Sequence, residues 1–437
     1  MHSATKNSRT EGRLNIPNVG PSLGSTKPAA PTTRRALTLA VFSVLLLLAL
    51  RPASAQTETV HYNFTGGSDG GSPLSSLTPD SAGNFYGTTD QGGVGLGQGG
   101  DGTVFELSPI EGAGWTETVL YSFCSVSGCT DGAHPYYTPL IFDGEGNLYG
   151  TTKSGGASNK GVVFELSRVG KSWTETVLYS FAGGTDDGAD PINGLIMDAA
   201  GNLYGATNAG GTTGWGTVYE LSPSGGGWTE QVIYNIPTQI DFMYAGLTMD
   251  AAGNIFGATY RPGTVFELSP NGNGGWNLTV IYSFKGAPKD GDRPKGTPVL
   301  DKAGNLYGTT EIGGAKNIGT VYKLSPEKDG TWKEKILHPF KGGSKDGSGP
   351  FAGVVLDADG NIYGNTYNGG TSSGGVIYEL VAPVGRGSYK EKVLWSFKNA
   401  EGFFPYGALI LDSTGNVYGT TDLGGSGGAG VVFEFTP

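Results

Sequence analysis

Beyond residue 56 the apolar side chains fall in short runs that alternate with polar residues and break at Gly-rich stretches. One unit is written seven times. An apolar run ends in Asp, Gly-Asn-x-Tyr-Gly-Thr-Thr follows, then Gly-Thr-Val-Phe-Glu-Leu-Ser-Pro, then Trp-Thr-Glu-Thr-Val-Leu-Tyr-Ser-Phe. The central asparagines are Asn84, Asn147, Asn202, Asn254, Asn305, Asn361 and Asn416, at steps of 63, 55, 52, 51, 56 and 55 residues. A fixed period of this length signals one supersecondary unit repeated until it stacks or closes.

Each unit predicts four strands. In the second they are Pro139–Asp143, 147–152, 161–166 and 173–181. Alternation in the last places Thr174, Thr176, Leu178 and Ser180 on one face. No segment after residue 56 shows a helical period. In Asp198-Ala-Ala-Gly-Asn202 the Asp caps a turn and the Gly supplies positive φ, which is hairpin chemistry. Four antiparallel strands per unit match a propeller blade, whereas parallel β-helices have shorter coils and lack such hairpins. The fold class expected is all-β, a seven-bladed β-propeller filling residues 56–437 as one domain. The ends supply the closure: residues 57–64 copy a fourth strand with no first three before it. Residues 430–437 copy a third strand with no fourth after it. The strand 57–64 should therefore pair with 430–436 and leave no broken blade.

Residues 1–55 stand outside the repeat. Arg34 and Arg35 precede a 15-residue apolar run, Ala36 to Leu50, and Ala53-Ser54-Ala55 offers a small-residue cleavage site. That is a polar leader followed by a secretory signal. A membrane span needs about 20 apolar residues, so no stable insertion is expected once the signal is cut. The leader is long, and it fits either a weak twin-arginine signal or a displaced start codon. Export to the periplasm, the cell surface or the medium follows.

The leader holds seven of the 28 basic residues and one of the 39 acidic ones, so the remainder carries 21 and 38, a net charge of −17. Nucleic acid needs clustered Lys and Arg and is excluded as a partner. Four arginines remain, at 168, 261, 293 and 386. Cys124 and Cys129 sit five apart in one loop, with His134 the one further ligand type nearby. An exported chain with this pair reads as carrying a local disulfide.

These motifs, together with Gly-Gly-x-Asp-Gly-x-x-Pro between units, resemble the GloVer-type tandem repeats of exported bacterial proteins across residues 57–437. The resemblance implies export and a repeat scaffold, and it carries no established activity or catalytic residue. Relatives often bear a C-terminal anchoring segment; with Pro437 last, none is expected here.

Strand order puts the loop between blades and the loop between second and third strands on one face. Asp69, Asp131, Asp187, Asp290, Asp346 and Glu401 lie there, one per junction. They read either as an acidic rim for cations or glycans or, the favoured reading, as Asp-Gly turn chemistry. The Asp357-Ala-Asp359-Gly360-Asn361 turn lacks the bidentate Glu of a calcium loop, so neither metal nor cofactor is called for. The break in the pattern is more telling. Before the fourth blade the Asp-Gly loop is replaced by residues 236–244, and Thr259-Tyr260-Arg261-Pro262-Gly263 shortens the next loop. Tyr244, Tyr260, Arg261, Asp290 and Arg293 are the candidate binding notch for a carboxylated or sugar ligand, against drift in one redundant blade. His61, His134 and His338 are scattered, and no catalytic motif is present. The function expected is an exported, monomeric, non-catalytic propeller binding extracellular polysaccharide or a surface protein. The alternatives are a propeller enzyme, a glycan hydrolase or lyase using face-loop carboxylates, and a purely structural envelope protein.

Overall fold

A computed structural model describes residues 56–437 apart from 97–99, 113, 171 and 238–241. The leader and signal fall outside the described residues, as does part of the variant loop at 236–244. Seven blades are present, each built on four antiparallel strands, and in three of them a strand from the loop between blades (Gly188–Pro191, Gly291–Pro294 or Phe403–Pro405) adds a fifth. In the second blade the short inner strand Ile141–Phe142 pairs with Leu148–Thr152, which pairs with Val162–Val169, which pairs with the outer strand Ser172–Ser180. The inner strand contributes two ladder residues only, fewer than the apolar run suggested, because the residues before it leave the ladder to line the axis.

The ring closes as the ends require. Thr57–Asn63 pairs antiparallel with Val431–Thr436, from Thr57 opposite Thr436 to Asn63 opposite Val431. His61 sits at a bulge there, with Nε2 2.8 Å from a carboxylate oxygen of Glu434. Every outer strand carries the equivalent bulge, which corrects the alternation read from the sequence. Val177 faces Phe164 and Tyr179 faces Val163, so Leu178 is the extra residue. Thr174 and Thr176 remain exposed and Leu178 does not.

The apolar core is divided into seven clusters, and each straddles one junction between neighbouring blades. The cluster at the closing junction joins Tyr418 and Val432 to Phe64, Leu77, Phe85 and Phe105. One glycine of each second strand makes room for an aromatic ring of the third. A Cβ on Gly150 would lie 2.6 Å from Phe164 Cζ and 3.0 Å from Leu140 Cδ2; on Gly205 it would lie 2.3 Å from the Tyr219 hydroxyl. This is close approach, not turn-making.

The hairpin turns are tied by their Asp. Asp143 Oδ1 accepts from the amides of Glu145 and Asn147, at 2.8 and 2.9 Å, while Oδ2 accepts from Asn147 Nδ2 and the Tyr149 hydroxyl. Burial alone would raise the Asp143 pKa, but these donors outweigh it and hold the carboxyl below its ordinary value. Asp357 makes the same bonds, so its metal-like spelling is that of the common turn. Cys124 and Cys129 are disulfide-bonded within the loop after the first blade. Among the described residues no helix is long and apolar enough to cross a membrane.

Replacing Gly150 by Ala should cost about 1–3 kcal/mol in chemical denaturation, the usual penalty for overpacking. Gly144→Ala, where a Cβ meets nothing within 4 Å, is the control. Equal stabilities for the two variants would refute the ring-fitting role.

Candidate functional site

A cavity of about 240 Å³ opens on the axis, lined by residues of all seven blades. Its rim is set by the position six residues before each turn Asp: Leu74, Tyr137, Ile192, Tyr244, Lys295, Phe351 and Tyr406. All but Ile192 line the cavity, together with Gly194, Gly246, Gly296, Gly353 and Gly407, at which a Cβ would strike the neighbouring blade. Repetition of the blade thus delivers one side chain per unit to a common centre, and in this ring four are aromatic and one is cationic.

Lys295 lies among the rings. Its Nζ is 3.7 Å from the Phe351 centroid, 4.9 Å from Tyr406 and 5.3 Å from Tyr244, and it donates to the Tyr406 hydroxyl at 2.7 Å. Burial lowers its pKa to about 8, with Glu311 pulling the other way. Tyr137 stacks on Tyr406 at 4.5 Å and contacts Tyr136 at 4.0 Å, while Tyr367 stacks on both Phe351 and Phe404. The mouth is therefore a continuous aromatic surface with a partly desolvated ammonium in it.

The notch residues fall beside this mouth. The rings of Tyr244 and Tyr260 are 5.0 Å apart, and the guanidinium carbons of Arg261 and Arg293 lie 5.3 and 5.7 Å from the Tyr260 centroid. The Tyr260 hydroxyl donates to Glu311 at 2.6 Å. Asp290 does not join them. It is 6% exposed and accepts from the Tyr282 hydroxyl and the amides of Lys285 and Gly291.

Asp290 belongs instead to a set repeated between blades. At each such junction a Tyr near the end of one outer strand and the loop Asp meet a Glu from the next outer strand. Tyr62, Asp69 and Glu117 form one; Tyr121, Asp131 and Glu175, Tyr179, Asp187 and Glu230, and Tyr282, Asp290 and Glu334 are the others. At two further junctions His338 faces Asp346 and Glu391, and Glu401 faces Glu58. Oε1 of Glu58, Glu117, Glu175, Glu230, Glu334 and Glu391 is buried in every case without a hydrogen-bond partner. Burial, and then the neighbouring carboxylate, pushes Glu58, Glu117, Glu230 and Glu334 up to about 7 and Glu175 up to about 8. Before the fourth blade both acids are gone: the Asp-Gly loop is replaced and Leu278 stands where Glu stands elsewhere. The acids of the loop thus lie at the junctions, each beside an acid of a neighbouring outer strand.

The Gloeobacter/Verrucomicrobia repeat model matches residues 94–263 and 257–437. The chain belongs to this repeat family. No curated protein matches the sequence. Among solved structures, this repeat protein is similar to virginiamycin B lyase from Staphylococcus aureus, at 12% identity and TM-score 0.53, over 87% of this chain and 99% of that one. An inactive form of that lyase with quinupristin matches at 13% identity and TM-score 0.53, over the same shares. A fungal alcohol oxidase of the AA5 family, in complex with copper, matches at 14% identity and TM-score 0.54, over 87% of this chain and 75% of that one. At these identities the likeness is one of fold.

The sequence reading missed Lys295, Phe351, Tyr406 and Tyr137, although the rim position could have been found by counting back from each turn Asp. It also missed the glutamates. Their joint absence with the loop Asp at one junction was the available signal.

The glutamates set a pH dependence. Their pKa is higher in the folded chain than the ordinary 4.5, so the folded state binds more protons through that interval. Stability should therefore be greatest near pH 4–5 and fall as pH rises to about 8. Below that, protonation of the turn aspartates, whose pKa values are lowered, removes it again. Thermal midpoints across this range check the prediction; a midpoint rising steadily from pH 5 to 8 contradicts it. Gln at Glu117 and Glu230 should flatten the slope.

Proposed function

We propose that this repeat protein is an exported binding module whose axial mouth takes an acidic, hydroxyl-rich extracellular polysaccharide. The observation that carries this reading is Lys295 set among the rings of Tyr244, Phe351 and Tyr406. Pyranose rings present C–H faces that stack on aromatic side chains, and a uronate carboxylate pairs with an ammonium or guanidinium. The chain is strongly acidic after its leader, and against that field Lys295, Arg261 and Arg293 gather around Tyr244 and Tyr260 with Glu311 as the one acid among them, a local excess of positive charge. An anionic ligand also restores the charged form of Lys295 that burial disfavours. Export accords with the signal-like leader and with the Cys124–Cys129 disulfide.

A second reading, cleavage of the bound glycan, rests on Asp422. Burial raises its pKa and Asp90 adds to the rise, while a hydrogen bond from Ser72 opposes it. Asp90 also pairs with His134, whose pKa is raised chiefly by that hydrogen bond. Acid and base of unequal pKa at the edge of an aromatic mouth are the ingredients of glycoside chemistry.

Titration with matched uronate and neutral oligosaccharides tests the first reading. Acidic ligands should bind, Lys295→Met should weaken them tenfold or more, and affinity should decline above about pH 8 as Lys295 loses its proton. Equal binding of neutral and acidic ligands, or an unaffected Lys295→Met variant, overturns it. Product analysis separates the readings: new reducing or unsaturated ends that vanish in Asp422→Asn establish cleavage.

A further inference from the structure

One junction differs in kind from its fellows. Four of the junction sets hold a tyrosine, at 62, 121, 179 and 282, but between the fifth and sixth blades the same place is His338. His338 is 8% exposed and Asp346 5%. A nitrogen of His338 and a carboxylate oxygen each of Asp346 and Glu391 all lie within 4.8 Å of one another. Three of those tyrosine hydroxyls close on the loop Asp, at 2.8 Å (Tyr121), 2.9 Å (Tyr282) and 3.2 Å (Tyr62). His338 Nε2 stands 3.4 Å from Asp346 Oδ1, farther than in any of those three. Glu391 Oε1, facing the pair, is buried with no hydrogen-bond partner.

Asp346 is held in place by the backbone. Its Oδ1 accepts from the Gly347 amide at 2.7 Å and its Oδ2 from the Lys341 amide at 2.8 Å. The His338 ring is fixed edge-on against Phe340, with centroids 4.8 Å apart. Two potential ligands are thus oriented before anything binds, and the third comes from the adjoining blade. An imidazole with two carboxylates is a donor set that suits zinc or manganese and leaves positions for water. The all-oxygen sets preferred by calcium and magnesium lack the imidazole.

We propose that His338, Asp346 and Glu391 bind a first-row divalent cation of the zinc or manganese type, which ties the fifth blade to the sixth. Chelator-treated full chain, titrated calorimetrically with zinc chloride, should take up one equivalent that calcium chloride does not displace, with a rise in thermal midpoint. His338→Tyr installs the residue that four other junctions carry, so the fold is kept and the equivalent is lost. Glu391→Gln should lose it too, while His134→Ala retains it. Zinc uptake by His338→Tyr and Glu391→Gln at the parent's stoichiometry and affinity overturns the assignment. Absence of zinc uptake by the parent, or equal competition by calcium, overturns it as well.

Discussion

The fit between one glycine and one aromatic ring governs the architecture. In each second strand the glycine leaves a hollow that the third strand's ring fills, as Phe164 does over Gly150. The ring lies over the glycine on the face of the sheet, and the filled hollow faces the neighbouring blade across a shared apolar cluster. All seven blades use this fit, so the junctions are packed alike.

A repeated blade makes two kinds of place. At the periphery it repeats a chemistry, so that most junctions hold a buried acid pair next to a phenol. On the axis it gathers one residue from each unit, and there sequence divergence accumulates without disturbing the scaffold. Lys295 and the rings around it are of the second kind. Asp290, which the pattern of charges suggests as a neighbour of Arg293, is of the first. The variant fourth blade shows the distinction clearly: it drops the acid from its outer strand, with Leu278 in place of Glu, and supplies Tyr244 and Tyr260 to the mouth.

The fold was legible in the sequence because periodicity and turn chemistry are local signals. Seven turn aspartates, and a fourth strand at one end matching a third at the other, require no knowledge of side-chain contacts. The bulge at Leu178 was not legible, since it sets two residues of the outer strand against one of its partner and the alternation of the outer strand alone does not show where. The site was half legible. Tyr244, Tyr260, Arg261 and Arg293 were found by departure from the repeat and do meet. Lys295 and Tyr406 sit in units that follow the repeat well, and 111 residues separate them, so their 2.7 Å contact is a property of the closed ring.

The closing strand has a consequence for how the molecule comes to exist. His61 and Glu434 touch across 373 residues of chain, so the last blade is assembled from the first and last strands of the ring. Six blades can form by local contacts in order of synthesis, but the seventh waits until everything between has been made. Until then the outer edge of Val431–Thr436 lacks its partner strand. Before that edge is paired the blades form an open arc, and one strand of seven residues turns the arc into a ring.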